Sequence, residues 1–292
     1  MLAWGFGAEG AMKRREFRVL ALVALLAAAF AAQAARPATF AGEAEASLLL
    51  KGTVDIRADG TVERYSLDDT VKLPTSIVDL IAGVISGWRF EPVMADGKPT
   101  AARTDMSLRI VATPKGGGKY DARVGSVWFS GGEDDKPRSI SIRTRTGLVY
   151  PTFADPLATT GTVYVALKIG PQGQVLDAIA EQVNLTTFGT NLEMAKARRT
   201  LANNTLAAVR KWTFNVPTTG EEAGREYWTG VLPVKYGVWP SADVGAWERY
   251  IPGPRIPVPW RDSSEEPAVA GIDALPEGMV ARDGAGSKLL AH

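Results

Sequence analysis

A pattern that occurs twice is the feature that most limits how this chain can fold. The segment from Gly52 to Val62 (GTVDIRADGTV) recurs in outline from Val165 to Val175 (VALKIGPQGQV). In both segments a strand-like stretch with alternating side chains leads into a turn that ends in glycine, and a valine then begins a second such stretch. This order predicts a β-hairpin. Because self-similarity within one chain indicates repeated structural units, we expect two copies of one small unit.

An apolar helical stretch follows each hairpin and ends in the pattern Trp-x-Phe. The first extends from Ile77 to Trp88-Arg89-Phe90, and the second from Leu192 to Trp212-Thr213-Phe214. In the second stretch, five residues recur at the spacings of a helix that packs on one face: Leu201, Thr205, Ala208, Val209 and Trp212. Each tryptophan best serves as a plug between helix and sheet, with ligand stacking as the alternative.

Each copy then turns at a glycine and resumes as a strand. The turns are Asp96 to Pro99 and Thr219-Gly220, and the strands are Thr104 to Ala112 and Tyr227 to Tyr236. The order in each copy is therefore strand, strand, helix, strand. We expect an α+β fold of two small modules, each a three-stranded, mostly antiparallel sheet with a helix packed on one face.

These patterns divide the chain into five parts. Residues 1–34 are predicted to be a signal peptide, and residues 45–114 and 148–238 form the two modules. Residues 115–147 form a glycine-rich linker and a hairpin between the modules. Residues 239–292 form a proline-rich and polar tail, which we expect to be partly disordered.

The linker and the tail have no counterpart in the repeated unit. Lys115 to Lys119 predicts a flexible joint, and Val124 to Ser130 is predicted to form a hairpin with Ser139 to Arg145. In the tail, the proline-rich part is expected to lie extended on the folded body, and the residues from Asp262 onward to be mostly disordered. Three tryptophans in this tail suggest either partner docking or, as we favour, anchoring of the tail to its own domain: Trp239, Trp247 and Trp260.

The amino-terminal region has the three parts of a secretory signal. Lys13 to Arg18 is cationic, Val19 to Ala32 is an apolar run, and Ala32-Gln33-Ala34 is a small-x-small cleavage site. The run is shorter than the roughly 20 residues that span a bilayer, which favours cleavage after Ala34 over a permanent anchor, with a buried helix as the alternative. Met12 directly precedes the basic cluster and would fit as the true start. We therefore expect a periplasmic protein that does not span the membrane after cleavage.

The residue types present exclude most catalytic chemistry. The chain has no cysteine, and its one histidine is the last residue, His292, so thiolate nucleophiles, histidine triads and multi-histidine metal sites are excluded. Asp55 with Asp59, and Glu221 with Glu222, are carboxylate pairs that we interpret as solvated surface. The balance of 33 basic against 32 acidic residues argues against nucleic acid as a partner. We expect no enzymatic activity, no cofactor and no metal.

The second copy resembles the carboxy-terminal domain of the TonB family. Five segments match its successive blocks in order: Tyr150 to Ala154, Gly161 to Val165, Gly170 to Val175, Ala207 to Phe214 and Val231 to Tyr236. The first copy, from Lys51 to Ala112, is similar but more divergent. The resemblance implies the fold of both modules and a periplasmic binding role.

Three departures separate this chain from the family pattern, and the last two weaken any link to energy transduction. Asn184 to Gly189 stands where the family usually has a Ser-Ser-Gly turn. The chain also lacks the long proline-rich spacer of an energy-transducing TonB, and its amino-terminal apolar run contains no ionisable residue. The resemblance therefore supports binding more than it supports transduction.

Family members bind the amino-terminal peptide of outer-membrane receptors by strand addition, so the resemblance implies the same mode here, with an envelope protein or receptor peptide as partner. The candidate edge is the last strand of the second module, where Pro233 removes one donor, so that pairing there is interrupted or faces the other way. The candidate peptide-binding residues are Tyr227, Thr229, Val231, Val234, Lys235 and Tyr236. Val231 and its same-face neighbours are expected to face the helix and to be part of the core. The alternatives are a structural or regulatory envelope protein whose edges are paired internally or in a homodimer, and an exported hydrolase that uses carboxylates only.

Overall fold

The computed structural model describes residues 44–68, 73–130, 139–148, 159–220, 223–237, 244–261 and 281–282. The predicted signal peptide, with Met12, lies outside the described residues, as do Tyr150 to Ala154, Glu221, Glu222 and Trp239. Within the described part, no helix combines the length and the apolar character needed to cross a membrane.

Strands predominate over helices in the described chain. In order, the elements are β1 (Glu45–Ile56), β2 (Val62–Leu67), α1 (Thr75–Ser86), β3 (Val93–Ala95), β4 (Lys98–Thr100), β5 (Ala102–Gly116), β6 (Lys119–Ser130), β7 (Ser141–Thr144), β8 (Gly161–Ile169), β9 (Val175–Leu185), α2 (Asn191–Val209), β10 (Thr213–Asn215), β11 (Trp228–Tyr236), β12 (Trp247–Tyr250) and β13 (Ala281–Arg282). The named strands pair antiparallel. The fold is therefore α+β, the class that the sequence predicts.

The first sheet has five strands, in the order β12-β1-β5-β6, with β2 also paired to β1. One edge of β1 pairs with β5, and the other is divided between β12 at its start and β2 at its end. Helix α1 buries Ile77, Ile81 and Ile85, spaced four apart so that they share one face. They belong to one core with alternate residues of β1, namely Leu48, Leu50, Val54 and Ile56.

The second sheet has four strands, in the order β13-β11-β8-β9. Helix α2 begins with a capping box, in which Thr190 and Glu193 each accept the other's backbone N–H. Its buried residues include Leu201, Thr205 and Val209, the stripe that the sequence predicts. The alternation in β8 buries Val163, Val165, Leu167 and Ile169 completely.

The predicted hairpin between the modules is wrong. Strand β6 pairs with β5 and not with Ser139 to Arg145, and the residues expected to complete that hairpin form β7, which pairs with β10. The glycine run expected to be a flexible joint is the tight turn of the β5–β6 hairpin, where Gly117 and Gly118 have φ values of 59° and 74°. Two successive glycines supply the positive φ that a two-residue hairpin turn requires. Alternation predicts a strand but does not identify its partner.

Both sheets also contain more strands than the three that the sequence predicts for each module. Strands β6 and β12 extend the first sheet, and β13 extends the second. An open sheet edge leaves backbone donors and acceptors unpaired, so further segments of the same chain can add to it. The strands that widen the sheets lie outside the repeated unit, which is why the repeat did not predict them.

The proline-rich tail lies extended along both sheets. Strand β12 pairs with Glu45–Leu48 of β1, and Trp247 packs against the core of the first sheet. The next residue, Ile251, exchanges two backbone hydrogen bonds with Leu185 of β9, at 3.1 and 2.8 Å. The predicted extended path of the tail on the folded body is confirmed for residues 244–261, but Trp247 lies on the first sheet and not on the module that precedes the tail.

Candidate protein-interaction edge

Strand β11 carries the residues that the sequence nominates for peptide binding. On one side it pairs continuously with β8, from Trp228 opposite Ile169 to Tyr236 opposite Gly161. On its outer side, the described part of the chain supplies one strand, β13, which pairs only at Gly230 and Val231. Among the described strands, β13 therefore covers only the amino-terminal part of this outer edge.

The two faces of β11 are occupied differently from the expectation. The hydroxyl groups of Tyr236 and of Thr205 on α2 lie 2.9 Å apart, so Tyr236 and the residues alternating with it face the helix. Val231 lies on the opposite face, packed on Tyr164, and the expectation that it faces the helix is wrong. It is nevertheless only 3% exposed because both faces of the strand are covered. Alternation fixes which residues share a face but not which face meets the helix.

The six nominated side chains divide into buried and accessible sets. Val231, Val234 and Tyr236 are buried. Tyr227, just before the strand, is 42% exposed, and the Lys168 ammonium lies 4.0 Å from its ring centroid. Thr229 and Lys235 are partly exposed, and the Lys235 Nζ lies 3.5 Å from a Glu248 carboxylate oxygen. With half of the side chains buried, this edge presents mainly backbone to a partner.

Pro233 determines which backbone groups of β11 point outward. It lies opposite Tyr164 within the unbroken β8–β11 pairing. Proline is tolerated in a strand where its nitrogen points away from the neighbouring strand. Successive residues direct their N–H groups to opposite sides, so Val231 and Lys235 direct theirs outward with the nitrogen of Pro233 between them. The pairing is not interrupted, and the missing donor belongs to the outer edge.

A small cleft lies beside the carboxy-terminal half of this edge. It is lined by Leu232–Lys235 on one side and by Ile142, Arg145 and Trp212 on the other. Pairing of β7 with β10 holds the second wall in place. The recess is far smaller than the cavity that a drug-sized ligand needs.

Trp212 forms part of that wall and also closes the core. Its ring is buried, as the sequence predicts, and its Nε1 donates to the Thr146 carbonyl oxygen at 3.0 Å. The Arg145 guanidinium lies 5.2 Å from the ring centroid, on the outer side. The ring is therefore engaged by the protein itself, as a plug and not as a free stacking surface.

The carboxylates considered for catalysis have structural partners. Asp55 forms ion pairs with Arg103 and Arg64, and their hydrogen bonds hold the pKa of its carboxyl far below the usual range. Asp59 accepts hydrogen bonds from the hydroxyl and backbone N–H of Thr61, which lower its pKa. In the described ranges, no group of three or more His, Cys, Asp or Glu residues is arranged to hold a metal ion.

Sequence reasoning missed the residues that hold the tail on β9. Arg198 of α2 donates to the carbonyl oxygens of Val183, at 3.2 Å, and Pro252, at 3.3 Å. Glu181 is the extra residue of a bulge in β9, and its buried carboxylate accepts a hydrogen bond from Arg261 at 2.9 Å. The sequence does not single out Glu181, because β9 also contains Asp177, Gln182 and Asn184.

Comparison with protein-family models, with curated proteins and with solved structures gave no match. The resemblance to the TonB carboxy-terminal domain therefore rests on the residues quoted above alone. Fold likeness alone would not establish a function in any case, because one fold can carry many activities.

Proposed function

We propose that this chain is a periplasmic, TonB-like protein-interaction module that binds an extended segment of an envelope protein by strand addition to the outer edge of β11. The observation that carries the proposal is that β13, a short segment of the chain's own tail, already pairs with this edge at Gly230 and Val231. An edge that accepts one extended segment offers the same donors and acceptors to another. The proposed partner is a peptide of an outer-membrane receptor, which would link the protein to outer-membrane transport.

The proposal includes two copies of one β-β-α-β unit, and matching backbone contacts support it. The Gly60 carbonyl oxygen accepts a hydrogen bond from the Phe90 N–H at 2.8 Å, and the Gly173 carbonyl oxygen accepts one from the Phe214 N–H at 2.8 Å. The two glycines have φ values of 82° and 80°. Each contact ties the hairpin turn to the Trp-x-Phe segment that follows the helix.

The strands that lead into these turns also match. The ladder of β1 and β2 shifts register between Asp55 and Ile56, and that of β8 and β9 shifts between Lys168 and Ile169. Each shift lies four residues before the turn glycine. Agreement at the turn, the bulge and the Trp-x-Phe contact is difficult to explain by chance alignment of two unrelated sheets, because bulges are specific features of a strand pair.

A second candidate function is a structural or regulatory envelope protein whose edges are paired within the chain. The path of the tail favours it: β12 covers part of the edge of β1, and Ile251 pairs with Leu185 at the edge of β9. Ile256 adds a third contact, donating its N–H to the Glu181 carbonyl oxygen at 2.8 Å. On this reading the edges are covered for stability, and β11 captures no other protein.

The two candidates are separated by backbone substitutions on β11. Lys235→Pro deletes the outward N–H at that position, whereas Lys235→Ala keeps it, and both variants lose the ion pair with Glu248. Wild-type and variant proteins are used to capture partners from envelope extract, which are identified by mass spectrometry. The proline variant should lose a partner that the alanine variant retains, with both variants folded by circular dichroism.

Two outcomes would contradict strand addition at β11. Equal capture by two folded variants would show that this N–H is not used. Loss of capture only in a Trp247→Ala or Trp260→Ala variant would move the site to the tail. If the wild-type protein captures nothing specific, the internally paired, structural function becomes the better explanation.

A further inference from the structure

Strand β6 ends the first sheet with a long edge. It contains 12 residues, and no strand of the described chain pairs with its outer side. Elsewhere the chain adds segments to its own strand edges: β2 and β12 pair with β1, Ile251 pairs with β9, and β13 pairs with part of β11. A strand edge of this length carries a row of backbone groups that can pair with another strand.

The turn before β6 determines which of its backbone groups point outward. Gly116 and Lys119 flank the two-residue turn and are partners in the ladder. Such flanking residues exchange both of their backbone hydrogen bonds, so the N–H and C=O of Lys119 point toward β5. Because the direction alternates along the strand, Tyr120, Ala122 and Val124 point theirs outward. The register shifts after Val124, which ends the regular run.

The side chains along this run are complementary to themselves. Asp121 and Arg123 are both exposed and lie on the same face of β6, the carboxylate of Asp121 being 63% exposed. If two β6 strands pair antiparallel about a two-fold axis through Ala122, Asp121 of each copy lies opposite Arg123 of the other. Tyr120 then lies opposite Val124, also twice. Opposite charges and aromatic with β-branched pairs are the cross-strand pairs that stabilise a sheet.

We propose that two copies of this chain associate by antiparallel pairing of their β6 edges, centred on Ala122. The three outward residues of each strand would then pair as Ala122 with Ala122 and Tyr120 with Val124 in both directions. A two-fold interface of this kind requires one self-complementary patch, which the alternation of Asp121 and Arg123 provides. The resulting dimer would carry two β11 edges, and would therefore bind a repeated partner with increased avidity.

Charged residues on an edge strand can also serve to prevent pairing. Protection of that kind works best with charges of one sign, because like charges repel a second copy of the same edge. The charges on β6 instead alternate in sign, with Lys119 positive, Asp121 negative and Arg123 positive. The Asp121 carboxylate also lies 2.9 Å from Lys115 Nζ within its own hairpin, an exposed ion pair that contributes little to stability.

Charge reversal tests the proposed register directly. Sedimentation equilibrium of the purified protein, over a wide range of concentrations, should show a reversible monomer–dimer equilibrium. Asp121→Arg or Arg123→Asp places like charges opposite each other at both symmetric contacts and should raise the dissociation constant by at least about tenfold. The Asp121→Arg/Arg123→Asp double variant restores complementary pairs and should recover most of the affinity. Lys119→Asp is the matched control, because Lys119 would lie opposite Gly125, which carries no charge.

A backbone variant keeps the proposal testable if charge effects are weak. Ala122→Pro deletes the central outward N–H, whereas Ala122→Ser retains it, and only the proline variant should be monomeric. All variants are checked for folding by circular dichroism. A wild-type protein that stays monomeric at every concentration would overturn the proposal. So would a dimer whose dissociation constant changes equally in the single and double charge variants. Neither result bears on partner capture at β11.

Discussion

The two sheets share one local arrangement but complete it with different parts of the chain. In both, a turn glycine contacts the phenylalanine of Trp-x-Phe, and a buried tryptophan lies two residues before that phenylalanine. In the first sheet, Trp88 packs edge-on against the ring of Phe129, with centroids 5.2 Å apart. Phe129 belongs to β6, a strand with no counterpart in the second sheet.

In the second sheet, the corresponding Trp212 is enclosed by a segment that precedes the module. Its indole nitrogen donates to Thr146, and Arg145 lies over its ring. The second helix is also longer, with 19 residues against 12 in the first. The short repeated motif therefore positions each tryptophan, while the neighbours that bury it come from sequence that the two halves do not share.

Truncation of the two tryptophans is the most disruptive test of this comparison. Trp88→Ala and Trp212→Ala should each lower the free energy of unfolding by about 3–5 kcal/mol, the range for removing a large buried aromatic side chain. Denaturant unfolding measures both values. Leu192→Ala removes a side chain that is 81% exposed and should change stability by no more than about 0.5 kcal/mol. An unchanged midpoint for either tryptophan variant would mean that the two positions are not equivalent.

The turn glycines should give the next largest effect. A Cβ at Gly60 would lie 2.0 Å from the Phe90 carbonyl oxygen, and one at Gly173 would lie 1.9 Å from that of Phe214. Since both glycines also have positive φ, alanine at either position should cost at least about 2 kcal/mol. Gly97 has a φ of 74°, but no atom lies close to the position that a Cβ would take there. Gly97→Ala should therefore cost only the free energy of placing alanine at positive φ, about 1 kcal/mol.

Two outcomes for the glycine variants would contradict the shared geometry of the two sheets. If Gly60→Ala and Gly173→Ala cost no more than Gly97→Ala, the close approach to the phenylalanine carbonyl is not a constraint on the fold. If only one of the two is costly, the shared geometry belongs to one sheet alone. Either result would weaken the proposal that the sheets are copies of one unit.

Local features of this chain could be predicted from sequence, and long-range pairing could not. The starts of β2 at Val62 and β9 at Val175 are where the repeat predicts them, because turn glycines and alternation are signals within a few residues. The partner of β6 was predicted wrongly, since several alternating strands were equally suitable. The pairing of the tail with β1 and β9 also left no local signal, because extended proline-rich sequence has the same composition whether or not it is docked.

The candidate edge shows the same limit within a single strand. The sequence identified β11 and its alternation, but it assigned Val231 to the wrong face. It also gave no indication that β13 would lie on the outer edge at Gly230 and Val231. The occupancy of an edge depends on segments far away in sequence, so residue patterns at the edge itself carry no information about it.

Acid should affect the two sheets differently, and this is the smallest effect that we expect. Asp55 and Lys168 lie at matching positions, next to the bulge of each sheet. Hydrogen bonds from Arg103, and then from Arg64, hold the pKa of Asp55 well below its usual value of 3.8. The matching residue of the second sheet, Lys168, has no carboxyl group. Only the first sheet therefore has an acid-sensitive charge at this position.

The sign of the effect follows from the depressed pKa. Above its usual pKa, Asp55 is ionised in both the folded and the unfolded chain, and its ion pairs stabilise the folded state. As pH falls below about 4, the unfolded chain takes up a proton before the folded chain does, so this stabilisation is progressively lost. The side chains of Arg64 and Arg103 are 71% and 62% exposed, and solvent and salt weaken their ion pairs with Asp55, so the loss of stability should be small.

Denaturant unfolding of wild type and Asp55→Asn at neutral and acidic pH, in low salt, measures this loss of stability. Stability should fall less with acid in the asparagine variant, and an equal fall in both proteins would show that the Asp55 ion pairs do not distinguish the two sheets.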